Sequence, residues 1–348
     1  MQHALFSYRK ETMPSSSFIG SDGHPTLFEK ISDRGIKPVV SLNAESAFEG
    51  DQIAVHERVS GETLSALGHI SIESVGIVVN RLNRSFKNDV MPDRWRNDSP
   101  VIVNENQMRS LAFRKHRVQA EVFEPLGLGM PTKLLESDDD ATEFMAAHQA
   151  EQYILKPNSG TFSQDVRRLS KEVIADQSKI GLPEKSTIIQ PAYDFTAPFD
   201  PSIRPFDIKS ADEFYGWSQS DAVKEFRMYA FHSANRTSLF PVARAMQGGE
   251  DKWIFVDPAS IPDKLYHSTE QVIQRSASIT GSRAIYAALD FGYGKLHPDD
   301  ENDYHAIELN GKMPYLIAHE KHADVANVLR DQYADMVQAA VEGSGHVL

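Results

Sequence analysis

Three oxygen-bearing side chains late in the chain have the types and spacing to hold a hard cation. Glu308 and Asn310 stand two residues apart in His305-Ala306-Ile307-Glu308-Leu309-Asn310-Gly311-Lys312-Met313-Pro314. On a β-strand that spacing puts both on one face, with Ile307 and Leu309 on the other. A carboxylate beside an amide oxygen suits Mg²⁺. A second apolar run, Ala287-Ala288-Leu289-Asp290-Phe291-Gly292, carries one acid near its end. Two such strands could hold one or two Mg²⁺ ions between them, and a polyphosphate with them. Taken alone, Glu308 and Asn310 fit a pair of ordinary strands with solvated polar residues equally well.

A second set of residues suits phosphate. Lys156-Pro157 closes the apolar run Gln152-Tyr153-Ile154-Leu155 and leads into Asn158-Ser159-Gly160-Thr161-Phe162-Ser163. Backbone N–H groups of a small polar loop can cradle phosphate oxygens, and the lysine before it supplies a point charge. The loop is neither a P-loop nor a dinucleotide fingerprint. Arg114-Lys115-His116-Arg117 forms a basic cluster on a helix expected from Glu105 to about Glu124, which by itself reads as a solvated face.

The elements around these residues alternate helix and strand. Strands are expected at Ala4 to Tyr8, after Gly35, in a hairpin turning at Gly61, and at Val75 to Asn80, the last a continuous apolar run of the kind buried on both faces. Further strands are expected at Val101 to Val103, Pro131 to Leu135, Gln152 to Pro157 and Thr187 to Gln190. Glu225 to Phe231 and Leu239 to Met246 read as strand partners. Helical spacing predicts helices over His24 to Arg34, Asp138 to Gln149, Ser268 to Thr280 and His322 to Val341. Tyr193 to Ser220, with its prolines and acids, reads as an irregular insertion.

Composition limits the function classes. The 348 residues are 41% hydrophobic and 24% charged, with a formal net charge of -13. That balance argues against a nucleic-acid or anionic-membrane binder. The chain has no cysteine, which removes disulfides, thiolate metal sites and cysteine nucleophiles and fits a cytoplasmic protein. Met1 to Lys10 has no secretory-signal pattern, and no apolar run approaches a transmembrane length.

The order of the pieces resembles the ATP-grasp superfamily, of the carboxylate–amine (peptide) ligase type. Lys115 precedes the turn Gly127-Leu128-Gly129-Met130-Pro131-Thr132. Then follow Lys156-Pro157 with its glycine loop, Ile188-Ile189-Gln190, Glu225-Phe226-Arg227, Arg244, Asp290, and Glu308-Leu309-Asn310-Gly311. The likeness covers residues 101 to 320, and Asp290 with Glu308-x-Asn310 is its most specific part.

The resemblance implies an α/β and α+β architecture. A small N-terminal α/β domain (1–100) would precede a central subdomain with the phosphate loop (101–186) and a C-terminal subdomain with the metal site (187–348). It implies that Lys115 and Lys156 contact the nucleotide phosphates, under a mobile flap that includes Ser159, Gly160 and Thr161. Ile188 and Ile189 would line the adenine pocket through backbone groups, with Gln190 beside them. Asp194 or Glu225 would take the ribose hydroxyls. Asp290, Glu308 and Asn310 would bind Mg²⁺, one or two ions, with Mn²⁺ able to substitute. Arg244 and Lys156 would be the catalytic residues, Arg244 stabilising the transferred phosphoryl group. Two departures, Gln190 where many relatives carry an acid and the long stretch from Tyr193 to Lys224, leave the ribose ligand open between Asp194 and Glu225.

The implied activity is an ATP-dependent ligase that joins a small carboxylate to an amine, an amino acid or a peptide, through an acyl-phosphate. A phosphotransferase with a hydroxyl acceptor and a non-catalytic nucleotide-binding regulator are the other readings, and a homo-oligomer is compatible with either. His305 is expected on the face opposite Glu308, in a structural role. His319, Glu320 and His322 read as a solvated helix end; Arg81, Arg84, Arg94 and Arg96 read as loop charge or an acidic partner's patch; and Trp95, Trp217 and Trp253 read as packing residues.

Overall fold

A computed structural model describes residues 2–8, 26–42, 48–60, 63–80, 100–159, 166–175, 186–206, 211–234, 236–247, 250–254, 256–311 and 323–343. Arg81, Arg84, Arg94, Trp95, Arg96, Gly160, Thr161, His319, Glu320 and His322 lie outside the described residues.

The first elements are β1 (His3–Tyr8), α1 (Leu27–Ser32), β2 (Lys37–Leu42), β3 (Phe48–Glu49), β4 (Gln52–Ser60), β5 (Thr63–Ser71), β6 (Val75–Asn80) and β7 (Val101–Val103). Strands β2, β1, β6 and β7 lie side by side and parallel. Val75, Ile77, Val78 and Val79 of β6 are all buried, as a central parallel strand requires when both of its faces are covered. α1 opens with a capping box between Thr26 and Glu29, which satisfies amide groups that a helix start leaves free.

The middle of the chain holds α2 (Asn106–Phe113), α3 (Lys115–Arg117), β8 (Lys133–Leu135), α4 (Asp138–Ala147), β9 (Gln152–Pro157), β10 (Arg167–Ser170), α5 (Lys171–Ala175) and β11 (Thr187–Pro191). The single helix expected over 105–124 is broken. Arg114 takes an extended conformation (φ -105°, ψ 95°), and α3 runs on as a π turn over Val118–Phe123 and a 3-10 turn over Glu124–Leu126. Four strands form a small antiparallel sheet in the order β10-β9-β11-β8. Its core is built by Leu135, Tyr153, Leu155 and Ile189 against Ala141, Phe144 and Met145 of α4 and Ile174 of α5. Because β11 is hydrogen-bonded to both β8 and β9, the small sheet continues past the division expected before residue 187.

The remaining elements are α6 (Ala211–Ser218), β12 (Val223–Ser233), β13 (Arg236–Gln247), β14 (Glu250–Ile254), α7 (Asp263–Thr280), β15 (Ala284–Gly294), β16 (Asp303–Asn310) and α8 (Ala323–Gly343). The stretch expected to be irregular therefore contains a helix, α6, anchored by the buried Phe214 and Trp217. β15 pairs antiparallel with β12 and β16 and, at Ala284, parallel with β7. Through β7 the strands join into one sheet, twelve-stranded among the described residues. The boundary expected at residue 100 thus falls within a continuous sheet.

One face of this sheet lies under α8. Ala326, Leu329, Tyr333, Val337 and Ala340 recur at helical spacing and pack with Phe6, Val79, Tyr229, Phe231, Tyr286 and Ala288. α7 covers the opposite face, where Leu265, Val272 and Ile273 meet Phe226, Met228, Ala230, Ala287 and Leu309. Each buried Leu, Val, Ile, Phe or Met side chain among these contributes about 1.5–3 kcal/mol by leaving water. Gly281 ends α7 at a φ of +69°, a left-handed cap that suits a residue without a Cβ. Among the described residues no helix is long and apolar enough to cross a membrane.

Candidate active site

The site lies where a face of each sheet turns from apolar to charged. On β12 the residues 225, 227, 229 and 231 share a face. Tyr229 and Phe231 are in the core under α8, and Arg227 and Glu225 continue that face toward the start of the strand. Their ladder partners on β15 are Asp290 for Arg227 and Gly292 for Glu225. On β16, Glu308 stands opposite Asp290, and Asn310 opposite Ala288. The two short strand motifs read from the sequence are therefore neighbours, with their oxygens on one face.

A bulge changes one expectation. The β15–β16 register shifts between Asp290 and Phe291, so that Glu308 faces Asp290 but Ala306 faces Phe291. Ile307 is the extra residue. Leu309 and Ala306, three apart, both enter the core under α7. The bulge returns His305 to the face of Glu308, opposite Gly292, rather than to the far face. His305 packs its ring on Tyr193 at 4.4 Å, and burial pushes its imidazole below the usual histidine value.

The small sheet supplies the lysines' side. Tyr153, Leu155 and Ile189 point into its core, so Lys156 and Ile188, paired in the β9–β11 ladder, take the other face. Lys156 is only 8% exposed. Burial and the neighbouring Lys115 ammonium lower its pKa to about 8, against the pull of Glu308 and Glu225. Lys115 Nζ lies 3.6 Å from Glu308 Oε1. Lys115, Lys156, Glu225 and Glu308, drawn from α3, β9, β12 and β16, thus meet in one place.

Asp290 is buried and held by three donors. Arg227 Nε donates to its Oδ1 and Arg227 Nη2 to its Oδ2, both at 2.7 Å, and Asn310 Nδ2 donates to Oδ2 at 3.0 Å. Burial disfavours the Arg227 charge, but Asp290 outweighs it and raises the pKa. Arg227, named in the sequence within the Glu225-Phe226-Arg227 piece but given no role there, is the site residue that reading left unassigned. The available signal was its alternation with Glu225. For a divalent cation the donor set fits in part. Glu308 keeps a 29% exposed side chain and Asn310 is half-buried, so both can offer oxygens. Asp290 has spare lone pairs, but its charge is already met by Arg227. Among the described residues no group of three or more His, Asp or Glu side chains is arranged to hold a metal, and any site here depends on the Asn310 amide.

The other expected residues are placed as follows. Ile188 is buried and faces away from the small core, whereas the Ile189 side chain is inside it, leaving only its backbone for a ligand. Gln190 is buried and donates to Thr132 Oγ1 at 2.6 Å. Ser159 is half-buried just after Asn158. Arg244 stands opposite Glu225 in the β12–β13 ladder. Asp194 is not in the lysine cluster. Its Oδ1 accepts from Thr196 N and Thr196 Oγ1, which holds its carboxyl below the usual value, and its backbone bridges Lys295. Gly294 permits that crossing, since a Cβ there would lie 1.8 Å from Asp194 O.

Two asparagines fasten the site. Asn104, at φ +53°, accepts from Tyr286 N at 2.9 Å and donates to Tyr286 O at 2.6 Å and Gly311 O at 2.8 Å. It ties β7 to β15 and to the residue after Asn310. Asn158 accepts the Lys115 N–H on its backbone oxygen at 2.9 Å and the His116 N–H on Oδ1 at 3.1 Å.

No protein-family model matches the sequence, and no curated protein matches it. Solved structures do match it in shape. The macrocyclase MdnC from Microcystis aeruginosa, bound with its precursor peptide MdnA, is 13% identical, with a TM-score of 0.57 over 96% of this chain and 99% of that one. The D-cycloserine synthetase DcsG is 14% identical, with a TM-score of 0.55 over 97% and 99%. The ATP-grasp ligase PsnB, complexed with a precursor variant, Mg and ADP, is 15% identical, with a TM-score of 0.54 over 97% and 99%. These likenesses span both chains almost end to end, and with the two facing sheets they establish that this protein has the ATP-grasp fold.

Proposed function

We propose that this protein is an ATP-dependent ligase that joins a carboxylate to an amine through an acyl-phosphate, releasing ADP and phosphate. The observation that carries the proposal is the meeting of Lys115 and Lys156 with Glu225, Glu308 and the Arg227–Asp290 pair between the two sheets. A carboxylate is a poor electrophile because its charge repels nucleophiles and its oxygen leaves badly. Attack by a carboxylate oxygen on the terminal phosphorus of ATP makes that oxygen part of a phosphate leaving group. An amine can then attack the carbonyl carbon, and the C–O bond to phosphate breaks. Such transfers need positioning and charge neutralisation more than a protein nucleophile.

In this reading Lys115 and Lys156 hold the phosphates, with Ser159 beside them just past the end of β9. The backbone of Ile188 and Ile189, with Gln190 beside them, borders the base, and Asp194 or Glu225 takes the ribose hydroxyls. Glu308 and Asn310 would hold Mg²⁺, with Asp290 completing the set. When bound, Mg²⁺ offsets the charge of the phosphate oxygens. Arg227 supplies positive charge beside the transferred group, and the resemblance gives Arg244, opposite Glu225 on the neighbouring strand, the same role. The peptide bound to MdnC and the Mg and ADP bound to PsnB support peptide, nucleotide and metal as the ligand classes.

The test is product analysis with ATP, Mg²⁺, pooled amino acids and short peptides, and hydroxylamine as a trap. ADP, phosphate and a hydroxamate together are expected. A phosphorylated acceptor with no hydroxamate would replace the ligase reading with a phosphotransferase.

A further inference from the structure

The helix that carries Lys115 has no cap of its own. Arg114 precedes it in an extended conformation and makes no side-chain capping bond. The first amides of a helix lack partners within it. Here they are met from a segment more than forty residues later in the chain. Asn158 takes the Lys115 N–H on its backbone oxygen (2.9 Å) and the His116 N–H on Oδ1 (3.1 Å). The same Oδ1 lies 2.8 Å from His116 Nδ1, which makes Nδ1 the protonated ring nitrogen. Asn158 is itself fixed from the other side. Its N–H donates to Ser186 O at 2.9 Å, and its Nδ2 donates to Ser186 Oγ at 3.2 Å. Only 7% of the residue is exposed.

We infer that Asn158 is a positioning residue for Lys115: acting as a helix cap supplied from a distant segment of the same chain, it sets where Lys115 stands relative to Lys156 and makes the two lysines one phosphate-binding unit. The reason is geometric. Asn158 is two residues after Lys156 and one before Ser159, and it holds the amides of Lys115 and His116. The helix start cannot shift without moving the end of β9. The extended backbone at Arg114 is the counterpart of this arrangement, since a continuous helix would commit the Lys115 amide to a carbonyl of its own preceding turn. Lys115 is therefore tied by its backbone to the small sheet while its side chain reaches Glu308 on the large one.

This inference rests on the phosphate-binding reading of the lysines. The test is a double-mutant cycle on ATP affinity, measured by calorimetry with the full chain. Asn158→Ala and Lys115→Ala are each expected to weaken ATP binding, Asn158→Ala by about tenfold, the worth of one or two hydrogen bonds. The diagnostic result is in the double variant. If Asn158 acts through Lys115, adding Asn158→Ala to Lys115→Ala costs little further affinity. A merely structural Asn158 would lower the thermal midpoint and weaken both backgrounds equally, and that additivity would overturn the inference. If Lys115→Ala alone leaves the affinity unchanged, the phosphate reading falls and this inference falls with it, so the two failures are distinguishable. Should Asn158→Ala not fold, His116→Ala replaces it in the cycle: its smaller loss must also vanish beside Lys115→Ala, and persistence of that loss counts against the inference.

Discussion

Arg227 and Asp290 face each other across the β12–β15 ladder, joined by two parallel hydrogen bonds of 2.7 Å. Their side chains are 14% and 5% exposed. Removing one partner of such a pair leaves a buried charge without compensation and costs about 3–5 kcal/mol, whereas removing both costs much less. Asp290→Asn is therefore expected to lower the unfolding midpoint in urea strongly, and Arg227→Met combined with Asp290→Leu is expected to recover most of the loss. Equal midpoints for wild type and Asp290→Asn would show that the pair is not formed in solution.

Lys156 gives a prediction with a defined sign. Its folded pKa, about 8, is below the unfolded value of 10.5. The unfolded chain then binds more protons between these values, and stability rises with pH through that window. Below the folded value the buried charge costs the fold its full penalty, about 3 kcal/mol for a shift of this size. Lys156→Met should stabilise the free protein at pH 7 while weakening ATP binding. Loss of stability in that variant at pH 7 would contradict the assignment.

The same residue predicts proton uptake on nucleotide binding. An anion beside Lys156 favours its charged form, and at pH 8 about half of the population is neutral beforehand. Calorimetry of ATP binding at pH 8 in buffers of different ionisation enthalpy should report uptake of about half a proton, falling toward zero at pH 6. Heats that do not depend on the buffer at pH 8 would argue against a phosphate beside this lysine.

Asn104 combines a left-handed backbone with three side-chain hydrogen bonds, one of them to Gly311 O. Asn104→Gly removes the bonds but tolerates the backbone. Asn104→Ala removes both supports and should cost about 1–2 kcal/mol more. Both variants should also weaken Mg²⁺-dependent ATP binding, because Gly311 follows Asn310 directly. Thermal unfolding with a Mg²⁺ titration measures the two effects together, and unfolding midpoints that are the same for Ala and Gly would remove the strain argument.

Much of this architecture is legible in the sequence where the signal is local. Glu308 and Asn310 alternate with apolar neighbours, and Asp290 ends an apolar run, so their strands and shared face follow from a period of two. What could not be read depends on distant partners or on one extra residue. The Ile307 bulge reverses the expected side of His305, because one extra residue changes the alternation of the side chains before it relative to those after it. The helix break at Arg114 has its cause at Asn158. The join of β7 to β15 sets parallel and antiparallel strands in one sheet, and no local pattern announces it. Arg227 received no role of its own because its partner, Asp290, lies far along the chain. Trp217 is the simpler case: expected to pack, it is buried at the end of α6.

The proposed function makes Glu308 part of a metal-dependent phosphoryl-transfer site. The most direct test compares wild type with Glu308→Gln for ATP-dependent hydroxamate formation in Mg²⁺, with the unfolding midpoint measured alongside. Gln keeps the volume and removes the charge. The account predicts ADP, phosphate and hydroxamate from the wild type and none from the variant, with similar midpoints for both. Undiminished hydroxamate formation by a folded Glu308→Gln protein would contradict it.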